Sequence, residues 1–150
     1  MAMARFSEII RPLVAADKRA WLPLWAGYLE FYQASLAPDV TDAAFARLTG
    51  LDEDMFGLVA EQDGRIIGIA HCILHRSTWA RGNCVYLNDL FVSPDVRGSG
   101  AGRALIEAIY KRADEIGAER VYWLTHESNA TARKLYDSIA VNDGFLEYRR

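Results

Sequence analysis

Cysteine is scarce in this 150-residue chain: there are two, Cys72 and Cys84. They form no C-x-x-C pair and have no histidine at ligand spacing, which argues against a zinc centre or any other metal site. They read instead as half-buried thiols of a reducing cytoplasm. Long apolar runs are also missing. None approaches the roughly 18 residues of a membrane-spanning helix, and Met1 to Phe6 hold no signal-peptide core. No linker rich in Pro, Gly or Ser, no repeat and no low-complexity tract divides the chain, so residues 1–150 read as one domain. An excess of basic charge is absent too, with 17 Lys and Arg against 20 Asp and Glu and a net charge of −3. That excludes a broad nucleic-acid footprint and mildly favours a cationic substrate.

What the chain does have is core material: 51% hydrophobic residues, with four Trp, seven Tyr and six Phe. A chain of this size buries roughly 70% of its unfolded surface. Ser7-Arg11 reads as a short strand. A helix opens at Ala15-Asp17 and is expected to run to about Ala37, with Trp21, Leu24, Trp25, Tyr28, Leu29 and Tyr32 at helical spacing. Pro38-Asp39 read as its break, and Thr41-Asp42 cap a short helix to about Leu48. Phe56-Glu61 and Arg65-His75 form a hairpin across Asp63-Gly64. Cys84-Ser93 is a central strand, followed by a helix from about Gly100 to Ile116 that Gly117 stops. Glu119-Thr125 is a further strand, Ala130-Asp137 a helix, and Phe145-Arg149 a last strand. The expected fold is mixed α/β: a central, mostly antiparallel sheet of six to seven strands with helices on both faces.

Chemistry concentrates where the central strand turns into a helix. In Val96-Arg97-Gly98-Ser99-Gly100-Ala101-Gly102 three glycines remove Cβ atoms, so that backbone N–H groups approach a ligand closely. The helix start favours an anion such as pyrophosphate, and Arg97 adds a bidentate donor. The spacing is not the G-x-G-x-x-G of dinucleotide folds, and no Gly-Lys-Ser/Thr follows as in a Walker loop.

The stretch Leu87 to Leu105, with Arg97, Gly100 and Gly102 in place, resembles the acetyl-CoA motif of the GNAT superfamily of N-acetyltransferases. Asn129-Ala130-Thr131-Ala132-Arg133-Lys134-Leu135-Tyr136 is similar to that family's N-x-x-A-x-x-x-Y helix. The likeness covers nearly the whole chain. Within the superfamily, Ser77-Thr78-Trp79 and Tyr86 to Val92 resemble spermidine/spermine N-acetyltransferases. Val121 to Asn129 resembles fungal histone/polyamine acetyltransferases.

The resemblance implies acetyl-CoA as co-substrate, no metal, and a small-molecule amine or lysine-like acceptor. It implies that Leu90, Phe91 and Val92 line the pantetheine arm, on a strand bulged near Asp89-Leu90. Gly98, Ser99, Gly100, Ala101, Gly102 and Arg103 are expected to hold the pyrophosphate. Asn129, Ala132 and Arg133 complete the cofactor side. Tyr136 fills the family's general-acid position. Where the family often carries a Glu or His base this chain has Asn88, which cannot titrate. Asp89 is therefore expected to orient the substrate ammonium while water carries the proton away.

Tyr28, Glu30 and Trp79 are expected to border the acceptor pocket. His71 and His75 share a strand face and read as structural or solvated, and His126 as a cap or a liner of the site. The sheet edge near the C-terminus is expected to pair two copies into a homodimer. Two other readings stay open at this point: a catalytically silent acetyl-CoA sensor, and a nucleotide-binding α/β domain.

Overall fold

In the computed structural model, residues 9–51 and 53–150 are described. Five strands form one sheet in the order β1-β2-β3-β4-β5: Ile9–Pro12, Met55–Gln62, Arg65–His75, Cys84–Val92 and Arg120–Tyr122. The first four run antiparallel to their neighbours, and β5 joins β4 in parallel. Asp63 and Gly64 both adopt positive φ between β2 and β3, the backbone that a two-residue hairpin turn requires.

Four α-helices cover the sheet: α1 (Lys18–Phe31), α2 (Pro38–Thr49), α3 (Ala101–Glu115) and α4 (Ala130–Ile139). Under α1 and α2 lie Trp21, Leu24, Trp25, Phe45, Val59, Ile69 and Phe91. Beneath α3 lie Leu58, Ile67, Val85 and Leu87, facing the α3 residues Leu105, Ile106 and Ile109. Those three α3 side chains are 0% exposed, each contributing about 1.5–3 kcal/mol through removal from water. α4 packs on α3 through Tyr110, whose hydroxyl donates to the Ile139 carbonyl at 2.9 Å.

Several expectations change. The described residues hold five strands, not six or seven. Residues 145–149 form no strand, because the sheet edge β5 is only three residues long and offers no ladder to extend. α1 ends at Phe31 rather than near Ala37. Pro38 begins α2 instead of breaking a helix, since a proline in the first turn has no hydrogen bond to lose. The expected start of β1 at Ser7 lies outside the described residues.

Candidate active site

β4 is the strand on which the site is built, and two irregularities open it. Its pairing with β3 slips between His71 and Cys72, which face Asp89 and Leu87, so Asn88 is the extra, bulged residue. The bulge thus lies one residue before the expected Asp89-Leu90. Its pairing with β5 covers only Cys84 to Tyr86. Beyond that point the two parallel strands part, and the Leu87–Val92 edge of β4 faces a V-shaped gap instead of a neighbour. An extended ligand fits such an edge as an added strand.

At the end of that gap the glycine loop leads into α3. Gly98 and Gly100 have φ of +83° and +91°, and Gly100 is the left-handed cap before Ala101. Both values lie where a Cβ is strained. A Cβ at Gly98 would stand in open space, with no atom within 4 Å. Its glycine therefore answers to backbone conformation and leaves room beside the loop. The first-turn N–H groups of α3 have no carbonyl partner within the helix, which suits an anion. Ser99 accepts from the Ala101 N–H at 3.4 Å.

Arg97 lies 5.5 Å from the Phe91 ring centre and donates to the Val92 carbonyl at 3.3 Å. Arg103 is turned toward α4, donating to Ser138 at 2.9 Å. Across the gap, Asn129 caps the start of α4 and donates to Thr125 Oγ1 at 3.3 Å. Arg133 donates to the Glu127 carbonyl at 2.9 Å and braces the same loop. Ala132 sits half-buried on α4.

Tyr136 is half-buried with its ring edge-on to Trp123, the centroids 5.3 Å apart. Burial pushes its phenol up, so the proton stays on oxygen at neutral pH. Leu90 and Val92 pack toward α3. Phe91 points the other way, against Gly27 of α1, where an added Cβ would come within 3.0 Å of the ring. α1 can lie this close to β4 only because residue 27 has no side chain.

On that α1 face the bulge directs Asp89 into a buried polar cluster. Asp89 is 8% exposed. Its Oδ2 faces His71 Nδ1 at 2.9 Å, and its Oδ1 accepts from Asn88 Nδ2 at 2.9 Å. The Tyr28 hydroxyl is a further donor. Burial pushes the carboxyl up, but hydrogen bonds from His71, Tyr28 and Asn88 outweigh it and hold Asp89 below the usual carboxylate range. Asp89 is therefore a buried anion at neutral pH.

A carboxylate offers about four lone-pair sites. His71 and Asn88 each fill one, on different oxygens. Trp21 and Trp25 lie against His71, and Tyr28 stacks on Trp25 at 5.4 Å. Burial, then the charge of Asp89, pushes the Tyr28 phenol up, so it remains a donor.

Not every expected pocket residue arrives. Glu30 is exposed and lines an open cleft of about 830 Å³ between α1 and the end of β4, with Phe91 and Arg97 on its far side. Trp79 is 88% exposed on the loop before β4 and lines neither that cleft nor the smaller one at the end of α1. The smaller cleft joins Tyr32 to His126 and Asn129. His71, expected to be structural or solvated, is buried and in direct contact with Asp89. The signal was a lone imidazole inside the apolar run of β3, facing an acid on the next strand.

Comparison with known proteins bears on the family and the fold. Residues 20–140 match the acetyltransferase (GNAT) family. The D-amino-acid N-acetyltransferase HPA3 of Saccharomyces cerevisiae is 35% identical over 144 residues, covering 95% of this chain and 89% of that protein. The uncharacterized N-acetyltransferase YhfO of Bacillus subtilis is 33% identical over 142 residues, covering 93% and 94%. The ribosomal-protein-alanine N-acetyltransferase of Brucella melitensis superposes with a TM-score of 0.82 at 24% identity, over 96% of this chain and 99% of that one.

Proposed function

Because the chain belongs to the GNAT acetyltransferase family and is an acetyl-CoA-dependent N-acetyltransferase, we propose that its acceptor is the primary amine of a small molecule, anchored by Asp89. The candidates are an amino acid, a polyamine or a lysine-like compound, and the amine attacks directly in a ternary complex. The observation that carries this is the buried anion at the β4 bulge, with one hydrogen bond on each oxygen. An ammonium group complements such a carboxylate in charge and in hydrogen-bond sense. The acid substrate of the HPA3 relative makes amino acids the first acceptors to try.

The residues present fit acetyl-CoA. The left-handed Gly98 and Gly100 and the open α3 start suit a pyrophosphate, and the unpaired β4 edge suits an extended arm. Bound acetyl-CoA supplies a thioester carbonyl as the electrophile. An ammonium of ordinary pKa near 10.4 must lose a proton at a cost of about 4.6 kcal/mol at pH 7. Asp89, held below the usual carboxylate range, binds that ammonium but is too weak a base to take the proton. Water carries it out past Asn88, which is exposed and untitratable. The Tyr136 hydroxyl holds the proton that the departing sulfur needs.

The exposed Phe145, Leu146 and Tyr148 support pairing of two chains through the C-terminal segment, and the free thiols Cys72 and Cys84 support a cytoplasmic location. Incubation with acetyl-CoA and a panel of D- and L-amino acids, polyamines and lysine analogues, read by mass spectrometry, tests the acceptor. Asp89→Asn is expected to raise the amine KM roughly 100-fold, as loss of one partner of a buried ion pair does. An unchanged amine KM sinks the role of Asp89.

A further inference from the structure

Two buried side chains beside Asp89 have no part in the chemistry so far. Trp21 is 0% exposed and His71 is 3% exposed. The Trp21 indole N–H donates to His71 Nε2 at 2.9 Å. An indole nitrogen can only donate, so Nε2 must accept and carries no proton. The single ring proton is then on Nδ1, which donates to Asp89 Oδ2 at 2.9 Å. Adding a proton at Nε2 would set two N–H groups against each other in a buried site. The tryptophan thus fixes the tautomer of the imidazole.

We propose that Trp21 and His71 are positioning residues for acceptor binding: the indole fixes the imidazole, and its Nδ1–H holds Asp89 in one orientation, so that the carboxylate is presented to the substrate. The proposal rests on the reading of Asp89 as the ammonium anchor. To Asp89, α1 presents Tyr28, β3 presents His71 and β4 presents Asn88. Tyr32 and Tyr86 feel its charge from farther off, as does Cys72 from the α3 face of the sheet. The phenols of Tyr28, Tyr32 and Tyr86 are pushed up by burial, and the Cys72 thiol is pushed up to about 12 for the same reason. All stay neutral at physiological pH. None of these phenols or the thiol cancels the anion. A merely structural histidine would need no partner that fixes its tautomer.

The experiment follows the Asp89 carboxyl directly by carbon NMR of the labelled free enzyme, beside the pH profile of kcat/KM for the amine. His71→Leu removes the donor, and the Asp89 titration and the acidic limb are expected to rise by about one pH unit. The amine KM is expected to rise about tenfold with acetyl-CoA affinity unchanged. His71→Asn keeps an N–H toward Asp89 without a titrating ring and is expected to return the limb toward wild type. Trp21→Phe keeps an aromatic ring but removes the N–H that fixes the imidazole and leaves a cavity where the second ring stood, and is expected to raise the amine KM with acetyl-CoA affinity unchanged. It also carries the test if His71→Leu does not fold. An unmoved Asp89 titration in folded His71→Leu, with only the melting temperature lowered, overturns the proposal by itself. A raised Asp89 titration with an unchanged amine KM overturns the ammonium reading, and the proposal with it.

Discussion

The two sides of this site are made of different material. The proposed donor side, from Gly98 to Arg103, is backbone: glycine conformations and a helix start whose free N–H groups suit an anion. The proposed acceptor side is a knot of side chains gathered from α1, β3 and β4, in which Trp21 meets His71 across 50 residues of sequence. A backbone cradle is rigid and indifferent to what lies beyond the phosphates. A side-chain knot can be retuned by single substitutions without disturbing the sheet. The comparison therefore predicts that damage to the donor side is all-or-none, whereas damage to the acceptor side is graded and specific to the amine.

The largest effect should follow Gly100→Val. Its φ of +91° costs a β-branched residue at least about 1–2 kcal/mol, and the new side chain sits where the pyrophosphate must approach. Acetyl-CoA binding is expected to fall below detection by calorimetry while Leu105, Ile106 and Ile109, farther along α3, keep the protein folded. Retained binding would end the distinction between the two sides.

A smaller effect is expected from Tyr136→Phe. The ring would keep its edge contact with Trp123 but lose the proton held on oxygen. The expected result is a fall in kcat of roughly 100-fold with acetyl-CoA affinity near normal. A large loss of affinity with normal kcat would move Tyr136 from chemistry to binding.

The same contrast explains what could be seen in the sequence. The glycine loop is local, so its spacing with Arg97 and the Asn129–Tyr136 helix was legible in one dimension. So were the strands from β2 to β4, whose apolar runs and Asp63-Gly64 turn are also local. Asp89 was legible as an acid on an apolar strand, but its surroundings were not. That His71 touches Asp89 depends on the β3–β4 register and on the bulge at Asn88. That Trp21 reaches His71 depends on α1 lying against Phe91 at Gly27. The last strand failed for a related reason: Phe145-Arg149 has strand-like residues but no long edge beside it, and a strand needs a partner as much as a propensity.

The smallest expected effect concerns stability and needs no substrate. Asp89 is held below its ordinary pKa by donors that exist only in the folded chain. Its contribution is therefore fully present above its unfolded pKa of about 3.9 and is lost as pH falls through the lower folded value. Asp89→Asn has no such proton to gain. The difference in melting temperature between wild type and Asp89→Asn should be flat from about pH 5 upward and should shrink only below about pH 4, by a few degrees at most. Calorimetric scans from pH 3 to pH 8 measure it. The donor loop from Gly98 to Gly102 contains no carboxylate, so Gly100→Val is expected to differ from wild type by a constant amount over the same range. A pH-dependent gap for the loop variant, or a constant one for Asp89→Asn, would show that charge is not what separates the two halves of the site.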